Sequence, residues 1–287
     1  PIVHVCAIQR MRLPFSSMQV ITDTADIHSF TGAAFVPTMG ALHAGHRSLI
    51  REAASSGLPV LVSIFVNPMQ FAPHEDLDSY PRTLEQDLDA IREDGGAAVF
   101  VPSVETIYPP NETLWSPPLP TVATEPKLED AHRPHFFGGV CAVVARLFDL
   151  TRPAVSFFGE KDWQQLKVIE AMASAHTDRW GAMQIVGVPT VREPDGLALS
   201  SRNVHLSDED RRRGLSLCRA LRAANDLSDA AAESAMMEIL LDSDLVVDYA
   251  VVRDSGSLLQ PQNDRSKRAL IAATLDGVRL IDNAAVG

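Results

Sequence analysis

Two histidines, His43 and His46, stand at the end of the run Pro37-Thr38-Met39-Gly40-Ala41-Leu42-His43-Ala44-Gly45-His46. A short apolar stretch, Ala33-Ala34-Phe35-Val36, precedes the run, and Leu49, Ile50, Ala53 and Ala54 follow it at helical spacing. The pattern reads as strand, glycine-containing turn and helix. Side chains three apart on a helix share one face, so both imidazoles would lie beside the unpaired N–H groups and positive dipole end of that helix. That is a phosphate site with two titratable donors. Glycines at 40 and 45 would let a bulky ligand approach the backbone. Such a pair could also be ordinary surface histidines or half of a metal site. Zinc is disfavoured because neither a His-Glu-x-x-His run nor a CxxC pair occurs.

Three further clusters carry polar chemistry. In Gly159-Glu160-Lys161-Asp162-Trp163-Gln164-Gln165, Lys161 and Gln165 are four apart and can face the same side. A lysine there would neutralise phosphate or carboxylate as a point charge, although a lone lysine is more often a solvated surface group. Leu199-Ser200-Ser201-Arg202-Asn203 sets two hydroxyls, a guanidinium and an amide in succession, a compact group of phosphate donors. Asn67-Pro68-Met69-Gln70-Phe71 places the Gln70 amide just after an apolar strand. A Walker P-loop, a GxGxxG fingerprint and a GxSxG elbow are all absent, so the phosphate handling is of another kind and the commonest serine-hydrolase signal is missing.

The elements that must hold these groups alternate. Strands are expected at 33–37, 60–66, 97–101, 154–158 and 184–188, with helices at 45–56, 83–93, 140–149 and 163–173. Continuous apolar strands between helices predict an α/β fold, a Rossmann-like parallel sheet covered on both faces. Ligands on such sheets bind beyond the carboxyl ends of the strands, where the histidine run lies. The proline-rich stretch 108–134 predicts a surface excursion without regular structure, with a lid or subunit contact as the other reading. Pro194-Asp195-Gly196 is a turn signal, and Ser207-Asp208-Glu209-Asp210 reads as a helix start. Helices to about 242 and strands at 246–252, 269–275 and 278–281 follow, the last two joined by an Asp276-Gly277 hairpin. The expected division is a domain at 1–190 and a smaller C-terminal α+β lid domain at 191–287.

At 287 residues, 46% hydrophobic and 22% charged, the composition is that of an ordinary globular protein. The net charge of −12, with no long basic run, argues against broad nucleic-acid binding and leaves room for a local positive pocket. Cys6, Cys141 and Cys218 sit in no metal or redox spacing, and no apolar stretch of membrane length or signal pattern occurs. A cytoplasmic enzyme with no membrane partner is expected.

Six ordered stretches together resemble one family, the pantoate–β-alanine ligases (pantothenate synthetases) of the nucleotidyltransferase superfamily. They are PTMGALHAGH at 37–46, FVNPMQF at 65–71, SYPRTLEQD at 79–87, FFGEKDWQQL at 157–166, VPTVREPDGLALSSRN at 188–203 and RLIDN at 279–283. The family's His-x-Gly-His signature matches His43-Ala44-Gly45-His46, and its lysine-serine loop counterpart matches Ser200-Ser201-Arg202.

The resemblance implies ATP-dependent condensation of (R)-pantoate with β-alanine to pantothenate, AMP and pyrophosphate, through a pantoyl adenylate. It implies catalytic roles for His43, His46, Lys161, Ser200, Ser201 and Arg202. Pro37, Thr38, Met39, Gly40, Gly45, Gly159, Glu160, Asp162, Val191 and Leu199 would join them in binding ATP. Gln70 and Gln165 would orient pantoate, and Asp87 would be the acidic position for Mg²⁺. A homodimer is also implied.

The chain departs from the family pattern in places. Leu199 replaces the usual methionine, a nearly volume-conserving change. The family reads Arg-Pro-Gly-His-Phe-x-Gly-Val where this chain has Arg133-Pro134-His135-Phe136-Phe137-Gly138-Gly139-Val140, so no role passes to the histidine position. Near Asp87, some relatives are more polar than Gln86 and Ala90. Two other readings compete: a nucleotidyltransferase that forms no amide, and a catalytically silent nucleotide-binding protein. The paired glutamines and the appended second domain favour the ligase.

Overall fold

The computed structural model describes residues 18–72, 77–78, 80–262 and 265–287; Cys6 and Ser79 lie outside them. Strands β1 (Gln19–Ile21), β2 (Ala34–Thr38), β3 (Val60–Ile64), β4 (Ala98–Phe100), β5 (Val155–Gly159) and β6 (Gln184–Val188) form one sheet. Its order is β1-β4-β3-β2-β5-β6 and its pairings are parallel. Ala34, Phe35, Val36, Leu61 and Val62 are fully buried, as apolar strands packed on both faces must be. The expected strands appear within a few residues; β1 was not anticipated, being too short to carry a period.

Helices α1 (Ala44–Ser55), α2 (Leu84–Glu93), α3 (Phe136–Thr151) and α4 (Trp163–Ala175) flank the sheet. Helix α1 buries Leu49, Ile50 and Ala53 against it, and α4 buries Leu166, Ile169 and Met172, the stripe visible in the sequence. From β2 the chain returns to one side through β3 and β4, and later to the other side through β5 and β6. The β2–β5 junction is therefore the switch point, where the loops leaving the two strands diverge and open a crevice.

Beyond β6, an isolated antiparallel bridge joins Arg192 to Ala198 around the expected turn. Helices α5 (Asp208–Gly214), α6 (Ser216–Ala223) and α7 (Asp229–Leu241) then lead into β7 (Val246–Asp254), β8 (Lys267–Leu275) and β9 (Val278–Val286). These three strands form an antiparallel sheet in the order β7-β8-β9. One apolar cluster, including Leu217, Met236 and Ile271, lies between α6, α7 and this sheet. Tyr249, Leu258, Leu270 and Ala272 instead join the large cluster of the first sheet. Both sheets therefore share part of one core.

The proline-rich stretch is largely exposed up to Thr121, as a surface excursion would be, but its later part is anchored. Val122, Ala123, Leu128 and Glu129 are buried, and short helical turns occur at Thr121–Ala123 and Glu129–His132. The Glu129 carboxylate accepts bonds from Arg279 Nη1 and Nη2 at 2.8 and 2.7 Å and from the Tyr249 hydroxyl at 2.8 Å. The Glu129 backbone N–H donates to Gln164 Oε1 at 2.9 Å. The stretch is thus pinned between α4 and the second sheet. Removing one partner of a buried charge pair leaves the other uncompensated. Glu129→Ala is expected to lower unfolding free energy by about 3 kcal/mol, and Glu129→Gln by less, as read by urea denaturation. A cost indistinguishable from zero for the alanine variant would show that Asp248, also paired with Arg279 at 2.7 Å, suffices alone.

Candidate active site

The residues singled out in the sequence lie at the carboxyl ends of β2, β3, β5 and β6 and in the segment that follows β6. They meet in one cleft of about 830 Å³. Its wall at β2 is Pro37, Thr38, Met39, His43, Gly45 and His46, and the turn after β5 brings Gly159, Lys161, Asp162 and Gln165. The loop after β3 brings Gln70, and the chain beyond β6 brings Val191, Leu199, Ser200, Ser201 and Arg202. Gly40, Glu160 and Asp87 do not line it.

The histidine geometry follows from helix capping. His43 is the N-cap of α1, with extended backbone (φ −103°, ψ 176°), and its Nδ1 accepts from the Gly45 N–H at 3.1 Å. The His46 Nδ1 accepts from the His43 N–H at 3.5 Å, so the two side chains form a reciprocal capping box. The rings stack with centroids 4.1 Å apart. Burial and the nearby Lys161 ammonium hold the His43 pKa down at about 4. Burial, with the His43 ring next, holds His46 at about 3. Both rings are therefore neutral near pH 7. Because each Nδ1 accepts a backbone bond, each proton resides on Nε2, which is the donor each ring offers.

Gly45 has no side chain for a steric reason: a Cβ there would come within 2.8 Å of His43 Cε1 and 2.9 Å of Nδ1. The same built atom would lie 3.9 Å from Leu199 Cβ, which measures how closely the serine-arginine segment approaches the start of α1.

Asp87, expected as the acidic position for Mg²⁺, lies outside the cleft lining. It is 2% exposed, its Oδ2 accepts from the Ala41 N–H at 2.9 Å, and its Oδ1 accepts from the Leu42 N–H at 2.8 Å. Thr83 Oγ1 also donates to Oδ2 at 3.3 Å. The carboxylate thus holds the turn in which Gly40 and Ala41 take left-handed φ values of 83° and 50°. Its oxygens are occupied by backbone donors, and the charge sits behind the loop rather than in the cleft.

Gln70 is oriented by Asn67, a residue 1% exposed. Asn67 Nδ2 donates to Gln70 Oε1 at 3.2 Å and to the Gly139 carbonyl at 3.1 Å, while its Oδ1 accepts from the Tyr108 hydroxyl at 2.8 Å. Gln70 Nε2 is left beside Met39 Sδ at 3.1 Å. Gln165 makes no side-chain hydrogen bond to another described residue. Lys161 Nζ lies 3.6 Å from Asp162 Oδ1 and is 19% exposed. Ser200 caps the 3₁₀ turn Ser201–His205, its hydroxyl accepting from the Arg202 N–H at 3.3 Å.

The chain as a whole is similar to known proteins. The profile described as Pantoate-beta-alanine ligase matches residues 15–285. The chain belongs to the pantoate–β-alanine ligase family. It is 47% identical over 261 residues to the pantothenate synthetase of Nitrobacter winogradskyi, covering 88% of this chain and 90% of that one. It is 44% identical to the pantothenate synthetase of Mycolicibacterium smegmatis, covering 94% and 88%. The crystal structure of pantothenate synthetase from Thermus thermophilus superposes with a TM-score of 0.86 at 40% identity, covering 93% of this chain and 99% of that one. A Francisella tularensis pantoate–β-alanine ligase complexed with β-γ ATP and β-alanine superposes at 0.78 and 33% identity, covering 94% and 98%.

Sequence reasoning passed over several residues that this family member builds into or against the cleft. Asn67, His132, Arg133, Tyr249 and Arg279 line it, and Asp282 and Asn283 reach it from β9. Arg279, Asp282 and Asn283 fall in the RLIDN stretch, where a buried charge beside an amide was the available signal.

Two outcomes follow from the capped histidines. Their Cε1 proton shifts in an NMR pH titration should move with midpoints near 4 and 3, against 6.5 for an ordinary histidine. Folded pKa values below the unfolded ones mean that the unfolded chain takes up more protons, so this contribution to stability is complete above pH 6.5 and is lost as pH falls toward 4 and 3. Midpoints near 6.5 would remove the neutral, backbone-fixed tautomers. Gly45→Ala should leave helix content intact, alanine being the better helix former, yet cut turnover by roughly a hundredfold as the His43 ring is displaced. Unchanged turnover would show that the ring position is not critical.

Proposed function

We infer that this protein joins pantoate to β-alanine at the expense of ATP, forming pantothenate, AMP and pyrophosphate, and that it does so through a pantoyl adenylate. The observation that carries the reading is the convergence of His43, His46, Lys161 and the Ser200–Arg202 segment on a single cleft. Groups from both ends of the chain can then act on one triphosphate.

A carboxylate is a poor acyl donor because its leaving group would be oxide. In the first step a pantoate carboxylate oxygen attacks the α-phosphorus of ATP, and the bond from that phosphorus to the bridging oxygen of pyrophosphate breaks. In the second the β-alanine amine attacks the acyl carbon, AMP departs with the carboxylate oxygen, and the amine gives up a proton. Neutral imidazoles suit the first step. The Nε2–H of His43 donates to an α-phosphate oxygen as charge builds there, and that of His46 holds the nucleotide at the helix start. Lys161, Ser200, Ser201 and Arg202 neutralise the departing pyrophosphate. Met39, with backbone at Gly159, Asp162, Val191 and Leu199, lines the nucleotide site, and Gln70 and Gln165 hold the hydroxyls and carboxylate of pantoate. Residues 191–287, the smaller C-terminal lid domain, carry the Ser200–Arg202 segment over the nucleotide.

The donor set fits Mg²⁺ held mainly by phosphate oxygens. Asp87 is committed to Ala41 and Leu42, and Asp162 is the carboxylate lining the cleft beside Lys161. Bound in this way, the ion would supply neutralisation of phosphate charge. The same proposal makes the enzyme a cytoplasmic homodimer, as the resemblance implies; light scattering after gel filtration reads the assembly. Among the described residues no helix is long and apolar enough to cross a membrane.

Pyrophosphate release measured with each substrate omitted in turn tests the reaction. Release should require ATP and pantoate, proceed for a single turnover without β-alanine, and become continuous with it. Release independent of pantoate would overturn the reading, and steady turnover without β-alanine would leave adenylyl transfer with no amide formed. His43→Ala should slow the first turnover by about a hundredfold or more, the usual cost of losing a donor aimed at developing charge.

A further inference from the structure

Strand β9 carries two buried polar residues in succession, Asp282 and Asn283, at 3% and 4% exposure, which the proposed chemistry does not use. Neighbouring side chains on a strand point to opposite faces, so such a pair can reach two different segments. Asn283 Nδ2 donates to the backbone carbonyls of Glu160 and Lys161 at 3.0 and 2.8 Å. Its Oδ1 accepts from Arg268 Nη1. That network fixes the amide orientation, since a flipped amide would turn its oxygen onto two carbonyls and its NH₂ onto a guanidinium. Arg268 in turn lies over the Trp163 ring, 3.3 Å from its centroid, and 3.5 Å from the Glu160 carboxylate.

On its other side Asp282 binds Arg192 in bidentate fashion at 2.7 and 2.8 Å. Arg192 also donates to the Gly196 carbonyl at 3.1 Å and to the Asn283 carbonyl at 3.4 Å, bracing the turn that leads into Ser200. The same two residues therefore touch the Lys161 turn and the base of the serine-arginine segment.

We propose that Asn283 is a positioning residue for Lys161: its two amide donors fix the Glu160–Lys161 backbone from the second sheet, with Asp282 and Arg192 tying the Ser200–Arg202 segment to the same strand. The spacing of the phosphate-binding groups is thereby set by the docking of the C-terminal sheet. The inference rests on the ligase reading above and concerns how that reading's lysine is held.

Two variants separate positioning from simple docking. Asn283→Asp keeps the acceptor for Arg268, and with it the guanidinium over the Trp163 ring, but removes both donors to the carbonyls. Asn283→Ala removes everything. Single-turnover pyrophosphate release with ATP and pantoate should slow about tenfold or more in both, with the pantoate KM changed by less than about twofold. In a Lys161→Ala background, Asn283→Ala should weaken ATP affinity by less than about twofold further, since a residue acting through Lys161 has little left to act on. Far-UV dichroism and thermal midpoints establish that each variant is folded. Wild-type release by Asn283→Asp, or a loss of ATP affinity fully additive with Lys161→Ala, would overturn the proposal and leave Asn283 as a docking contact. If the unaltered protein released no pyrophosphate with ATP and pantoate, the ligase reading itself would fail before any variant was compared.

Discussion

Everything at this site depends on the divergence of two neighbouring parallel strands. At the end of β2 the chain turns into α1, and at the end of β5 it turns into α4, with the crevice between them. A parallel sheet must end its strands on the same edge, so both turns present backbone at one place. The β2 turn supplies the imidazoles and a helix N-terminus; the β5 turn supplies Lys161. In the proposed reaction, a triphosphate spanning the crevice would meet donors on both walls without any glycine-rich loop wrapping it. The third wall comes from beyond β6, and it has to be brought back over the crevice by the second sheet.

Electrostatics at this crevice are arranged so that the histidines carry no charge and the buried carboxylates are paired. The chain carries a net charge of −12, yet the cleft must attract a polyanion. Charged imidazoles would be costly to desolvate beside Lys161, and both rings are in fact held neutral by burial. They remain good donors because backbone N–H groups occupy their Nδ1 atoms. In the proposed reading, attraction falls to Lys161 and the helix end, whose partial charge needs no counterion. Several carboxylates nearby, though not Asp162, are spent on the backbone or on guanidinium groups: Asp87 on Ala41 and Leu42, Asp94 on Arg47 at 2.6 Å, Asp282 on Arg192. Each of these removes negative charge from the path of the phosphates while fixing the segment it touches.

How much of this can be read from the chain itself depends on the distance over which each interaction acts. Helix α4 was legible because Leu166, Ile169 and Met172 repeat with the helical period, and the β8–β9 hairpin because Asp276-Gly277 specifies its own turn. The capping box is equally local, four residues long. What escaped is long-range. Asp87 lies about forty-five residues from the amides it accepts, Glu129 about one hundred and fifty from Arg279, and Asn283 about one hundred and twenty from Lys161. No periodicity encodes such pairings. An acidic residue on the first turn of a helix looks like dipole compensation or a metal ligand until the loop it holds is seen. The anchoring of the later part of the proline-rich stretch escaped for a related reason: prolines exclude a long helix, yet nothing prevents irregular chain from being buried when its polar groups find partners such as Gln164.

The departure at 133–140 obeys the same constraints. Helix α3 begins at Phe136, with His135 as its N-cap residue making no side-chain cap bond. Phe136, not His135, lines the cleft, and the Arg133 guanidinium packs 3.9 Å from the centre of its ring. Arg133 Nη2 also donates to the Gln70 carbonyl at 3.4 Å. An aromatic ring in place of the family's imidazole therefore gives up a titratable donor but keeps a flat surface under the arginine. The arginine in turn stays against the backbone of the residue proposed to hold pantoate. A histidine at this position would have contributed chemistry only if it reached the reacting atoms. Here Arg133 contacts the Gln70 backbone, and the phenylalanine packs against that arginine. The donors of the proposed reaction stand on α1, the Lys161 turn and the serine-arginine segment, and none of those passes through position 136.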